Sequence, residues 1–166
     1  MSLQTDTIDL LPSLRRFAFS LTNSRADAED LVQTTVERLL SKPVPAQTEL
    51  AKWAFRVCRN IWIDEYRARK VRQLAALNPE LQQEAEVQGE YESAASLAHV
   101  GNAMQQLPTE QHEVLSLIAV KGCSYKEAAE ILETPVGTAM SRLSRARAAL
   151  VELMRDNEGA SPKGFH

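Results

Sequence analysis

The chain is 166 residues long, enough for one ordinary domain or two small ones, with the apolar share of a globular protein. Charged residues interrupt every apolar run short of a membrane span, so no membrane insertion is expected, and "MSLQTDTIDLL" has no basic segment ahead of its apolar residues, so no secretory signal is read. The formal net charge is only −3, but it is segregated along the chain, and the two widely separated cysteines, Cys58 and Cys123, point to a reducing, cytoplasmic setting rather than a disulfide framework.

Helix signals are dense and strand signals nearly absent, which predicts an all-α protein. The first helix is expected over roughly Ile8 to Leu21. Ser24 reads as an N-cap with Asp27 three residues on, and the helix behind it places Leu31, Thr35 or Val36, and Leu39 on one stripe. That helix stops before "KPVPAQT", where Pro43 and Pro45 forbid regular helix. Thr48 is a candidate cap for the next helix, from Glu49 to about Arg72. One of its faces, Leu50, Trp53, Ala54, Val57 and Ile61, should meet a core, with Asp64 extending the stripe and needing a partner. A second face carries Phe55, Arg59, Trp62 and Tyr66. It is either buried in a sandwich or a stacking surface for unpaired bases.

Lys52, Arg56, Arg59, Arg67, Arg69, Lys70 and Arg72 make this helix cationic, whereas the charges from Glu80 to Glu92 are all acidic. Leu74 to about Gly101 is rich in Gln, Glu, Ala and Ser and reads as a linker, in part helical. Two basic elements separated by an acidic stretch suggest two modules that bind polyanions.

The second module resumes at "LPTEQHEVLSLIAVKG", with Thr109 as a cap and Gly122 as a C-cap glycine. Ser124 and Glu127 form a capping box for "YKEAAEIL". The break "ETP" follows, with Thr134 as N-cap and Pro135 at the first helical position. A short helix, a tight turn and a second helix is the helix-turn-helix plan. On the second helix, Val136, Ala139, Leu143, Ala146 and Leu150 share the core face. Thr138, Ser141, Arg142 and Arg145 cluster opposite, a face of hydroxyls and arginines suited to a DNA major groove, while Arg147 falls toward the core rim. The tail "DNEGASPKGFH" is expected to be disordered. No metal-ligand spacing joins His99, His112 or His166 to the cysteines, and no P-loop or dinucleotide fingerprint occurs, so no metal, no cofactor and no enzymatic site are read.

Several runs resemble one family. "LPTEQHEVLSLIAVKGCSYKEAAEILETPVGTAMSRLSRARAAL" is similar to the promoter-reading C-terminal domain of bacterial extracytoplasmic-function sigma factors of the sigma-70 family. "DAEDLVQTTVERLL" and "AKWAFRVCRNIWIDEYRARKVR" are similar to their N-terminal domain. The resemblance implies residues 1–72 as a core-binding and −10-recognition domain, 73–100 as an acidic linker, 101–155 as a helix-turn-helix −35-recognition domain and 156–166 as a tail. It implies a transcription initiation factor whose partners are core RNA polymerase, promoter DNA as duplex and non-template strand, and an anti-sigma factor. By resemblance Asp30 and Gln33 dock on the polymerase. Arg56, Arg59, Asn60, Trp62 and Arg67 face the −10 element, "SKPVPAQTE" captures a flipped base, and Thr138, Ser141, Arg142 and Arg145 enter the −35 major groove. The loop lacks an aromatic residue. "QTTV" departs from the family pattern. Glu133 stands where Gly is common, and a left-handed backbone there costs roughly 1 kcal/mol. The alternative reading is a helix-turn-helix regulator acting at an operator without polymerase, which explains Ser124 to Leu150 but not the Trp53 to Arg72 helix.

Overall fold

The computed structural model describes residues 3–69, 72 and 92–160, and all of the regular structure among them is helical. Helix α1, Leu3–Thr22, and α2, Arg25–Ser41, form a hairpin. Ser24 closes the start of α2 as expected: its hydroxyl accepts from the Asp27 amide at 3.2 Å. The stripe of α2 is buried through Leu31, Val32, Thr35 and Leu39. Thr35 tolerates that position because its hydroxyl donates to the Leu31 carbonyl at 2.7 Å.

Helix α3, Leu50–Ile61, follows the proline segment and continues into a π-helical turn, Trp62–Arg67. Its N-cap is Glu49, without a side-chain bond, while Thr48 turns back toward the Ala46 carbonyl, so Thr48 does not cap it. The helix buries both stripes: Ala54, Val57, Cys58 and Ile61 on one side, Phe55, Trp62 and Tyr66 on the other. Phe55 meets Phe17 of α1 edge-on, with ring centroids 5.3 Å apart. Asp64 does not extend the core stripe but is exposed. A π turn takes up more residues per turn than an α-helix, so the register shifts at Trp62 and carries Asp64 out to solvent.

Helix α4, Glu92–Gln105, begins inside the stretch read as a linker, and residues 73–91 lie outside the described residues. Helix α5, Thr109–Leu115, has Pro108 rather than Thr109 at its N-cap. It runs into a second π-helical turn, Ser116–Lys121, which Gly122 ends at φ 85°. Helix α6, Tyr125–Leu132, carries the full Ser124–Glu127 capping box. It closes on Glu133, left-handed at φ 54°, with the Thr134 amide reaching back to the Ala129 carbonyl at 3.0 Å.

Helix α7, Val136–Ala160, starts after Pro135, whose carbonyl accepts from Ala139, so Pro135 sits one place before the expected first turn. It runs on into the segment expected to be a tail, since no helix breaker stands before Gly159, and residues 161–166 lie outside the described residues. Ala139, Leu143 and Ala146 face the core, but Val136, at the edge of that arc, is exposed, and so is Arg147. The two helical units share one continuous core. Leu14, Phe17 and Phe55 belong to the same buried cluster as Leu117, Ile131 and Leu143.

Candidate nucleic-acid and polymerase interfaces

The cationic face of α3 meets the C-terminal unit. Arg59 donates to both oxygens of Glu113 on α5, at 2.6 and 3.1 Å, and its remaining nitrogen reaches the Asn60 side-chain oxygen at 2.9 Å. Glu113 is 1% exposed. Burial pushes its carboxyl above the usual range, and the Arg59 hydrogen bond and charge only partly pull it back. One turn earlier, Arg56 donates to the carbonyls of Glu130 at 2.6 Å and Ile131 at 3.1 Å, the last carbonyls of α6, and pairs with Glu133 at 3.5 Å. A guanidinium suits that place, because a helix C-terminus leaves carbonyls unpaired and carries partial negative charge. Lys52 pairs with the Glu130 carboxylate, which holds the lysine above its ordinary pKa.

Beyond Arg59, Trp62 is 2% exposed and packs edge-on to His112, with centroids 5.0 Å apart. Arg67 lies over the Trp62 ring at 5.9 Å and donates to the Leu107 carbonyl at 2.9 Å, and burial lowers its pKa. In this arrangement Arg56, Arg59 and Arg67, among the residues that the family resemblance singles out, all reach toward the C-terminal unit, so that face holds protein. The partners, Glu113, Glu130 and Leu107, lie far away in sequence and carry no local signal.

The other candidates lie on α7 and α2. On α7, Ser141 and Arg145 are exposed, while Thr138 and Arg142 are half-buried at the side of the helix, Arg142 lying 3.8 Å from Glu110 of α5. Met140 and Val136 are exposed on the same first turns, 47% and 41%, and the sequence reading missed them because it assigned Val136 to the core and left Met140 out. A bare apolar side chain at the start of such a helix is chemically suited to a thymine methyl. On α2, Asp30 and Gln33 are both exposed, with Leu31 and Val32 between them buried. Asp30 also accepts from the Tyr66 hydroxyl at 2.6 Å, tying α2 to the end of α3. The loop between α2 and α3 exposes Pro43, Pro45 and Gln47, with Gln47 at φ 63°.

Comparison with known proteins places both units. The sigma-70 region 2 profile matches residues 9–72, and the sigma-70 region 4 profile matches residues 98–150. The ECF RNA polymerase sigma factor EcfG of Rhodopseudomonas palustris is 34% identical over 155 residues, covering 92% of this chain and 85% of that protein. The ECF sigma factor SigL of Mycobacterium tuberculosis is 32% identical over 145 residues, covering 82% of this chain and 80% of that protein. Among solved structures, the sigma factor RpoE of Bartonella quintana, crystallised with the anti-sigma factor NepR, superposes with a TM-score of 0.69 at 30% identity, covering 92% of this chain and 96% of that one. CnrH in complex with the cytosolic domain of CnrY follows at a TM-score of 0.64 and 25% identity, covering 93% and 88%.

Proposed function

Since the chain belongs to the extracytoplasmic-function branch of the sigma-70 family, the RNA polymerase-associated transcription initiation factors, we propose that its two helical units divide a promoter between them. Residues 1–72 hold the −10 element through Arg56, Arg59, Asn60, Trp62 and Arg67, and residues 101–155 read the −35 duplex through Thr138, Ser141, Arg142 and Arg145. The acidic segment 73–100 joins them. The observation that carries this reading is the cationic, aromatic face of α3 in the same chain as a helix-turn-helix. An operator-binding regulator needs only the second. Holding unpaired bases out of a stack costs a few kcal/mol per base, which a face of guanidinium and aromatic groups is suited to offset.

Asp30 and Gln33 on α2 dock on core polymerase, their exposure supporting that role. An anti-sigma factor is the expected regulator, as for the Bartonella relative. The protein works in the cytoplasm and catalyses nothing itself. Among the described residues no helix is long and apolar enough to cross a membrane.

The test is transcription on genomic DNA by core polymerase with and without this chain, followed by sequencing of the transcript starts. Starts that appear only with the chain, and that share two upstream elements at a fixed spacing, support the reading. Binding to duplex DNA with no co-purification of core polymerase would favour the operator-binding alternative.

A further inference from the structure

The acidic groups in the first turns of α2 are not alike. Asp27 lies 3.9 Å from Arg69 and Glu29 lies 3.4 Å from Arg15, so each already faces a cation. Asp30 is held differently. Its Oδ2 accepts from the Tyr66 hydroxyl at 2.6 Å, and among the described residues no arginine or lysine lies within ion-pair distance of it. A neutral phenol fixes a carboxylate oxygen in place and leaves the negative charge whole, whereas an arginine would cancel much of it.

The hydroxyl reaches Asp30 because of the π turn. In an unbroken α-helix Trp62 and Tyr66, four residues apart, share one face. Here Trp62 packs against His112 of α5, while Tyr66 turns to α2. The wider turn from Trp62 to Arg67 parts the two side chains. The tyrosine is also fixed at both ends. Its ring is buried, and Arg69 lies over its face at 4.9 Å while pairing with Asp27 of α2. The phenol is thus anchored between α2 and the end of α3, with its oxygen against the Asp30 carboxylate.

We propose that Tyr66 is a positioning residue for polymerase docking: its hydrogen bond sets the Asp30 carboxylate, still fully charged, in the one conformation that a cationic group of the polymerase meets. This rests on the reading of Asp30 and Gln33 as docking residues. An exposed carboxylate on a helix otherwise samples several rotamers, and a partner that binds it has to order it. Holding it in one rotamer beforehand removes that cost from association.

The test is a double-mutant cycle on the full chain with core polymerase. Tyr66→Phe removes the hydroxyl and keeps the ring, and Asp30→Ala removes the group that the hydroxyl holds. Titration of labelled chain with core polymerase, followed by fluorescence anisotropy, reads the dissociation constant, and circular dichroism reads helix content at the assay temperature. Tyr66→Phe is expected to keep its helices and to weaken docking about fivefold. In the Asp30→Ala background the same substitution should change nothing further, because its only route to the polymerase is through Asp30. An equal loss in both backgrounds marks a purely structural role and overturns the proposal. So does full docking by Tyr66→Phe where Asp30→Ala is weakened. Full docking by Asp30→Ala would sink the docking reading itself, and the positioning role with it.

Discussion

Asp30 shows how one residue can carry two demands. Its carboxylate is exposed, as the docking role proposed for it requires, yet it accepts from the Tyr66 hydroxyl at 2.6 Å, and Tyr66 is otherwise buried. Burial first, then that hydrogen bond, raises the tyrosine pKa, so the hydroxyl stays a donor. Asp30→Ala removes the acceptor from a buried donor and should cost about 1–3 kcal/mol of stability in urea denaturation. Asp30→Asn keeps an oxygen for Tyr66 and should cost less, while still weakening co-purification with core polymerase. Equal losses of stability in the two variants would contradict this split. Cys58 is the opposite case, a group with no outward role. It is fully buried, and burial pushes its thiol up to about 12. Cys123 is also buried and shifted upward. In mildly alkaline buffer the native protein should therefore react with a thiol reagent slowly, and both cysteines should react at once after denaturation. Rapid labelling of Cys58 in the native state would contradict that placement.

Among the elements, the hinge of the helix-turn-helix carries stored strain. Glu133 takes a left-handed backbone at φ 54° to end α6. Its side chain is 68% exposed and lies 3.5 Å from Arg56, an ion pair worth little at that exposure. Glu133→Gly relieves the Cβ clash and should raise stability by about 0.5–1 kcal/mol, read as an upward shift of the thermal midpoint. The start of the same helix is the reverse case. Ser124 and Glu127 satisfy each other's amides at 3.1 Å, and those bonds hold the Glu127 carboxyl below its usual range. A depressed carboxylate lends stability above its unfolded pKa and loses it as pH falls through the folded value, so α6 weakens in acid. Ser124→Ala should cost about 1 kcal/mol at neutral pH. A midpoint unchanged by Ser124→Ala would show that tertiary packing alone holds the helix. On α7, Arg145 is exposed and Arg142 is half-buried beside Glu110. Arg145→Ala should therefore weaken binding of the duplex promoter by at least as much as Arg142→Ala, about 1–3 kcal/mol if it makes a bidentate base contact. Footprints over the −35 element compare the two.

At the scale of the molecule, one core runs through both helical units, and the polar contacts of Arg56 and Arg59 across it fall on the cationic face of α3. On the proposed division of a promoter between the two units, a bound state breaks Arg59–Glu113 and exposes Trp62. Buried ion pairs contribute less to stability than they cost when one partner is removed, which makes such a contact a suitable point of exchange between protein and nucleic-acid partners.

Features that depend on neighbours within a few residues were legible in the sequence. Ser24 and Ser124 cap the helices that follow them, Gly122 ends one, and Glu133 is left-handed where glycine is common, because each is a matter of local hydrogen bonds and backbone sterics. The helical class, and the stripe of Phe55, Arg59, Trp62 and Tyr66 along α3, follow from helical periodicity in the same way, whereas Arg56 joined the candidates only through the family resemblance. Thr48, Thr109 and Asp64 were misplaced by that reasoning. Two helices start one residue away from the obvious hydroxyl, and a π turn, whose extra residue leaves no mark in the pattern, rotated Asp64 into solvent. Only the tertiary structure decided what lies against the cationic face of α3. Arg59 meets Glu113 across 54 positions of chain, a pairing set by how α1, α3 and α5 pack and not by any periodicity along the sequence.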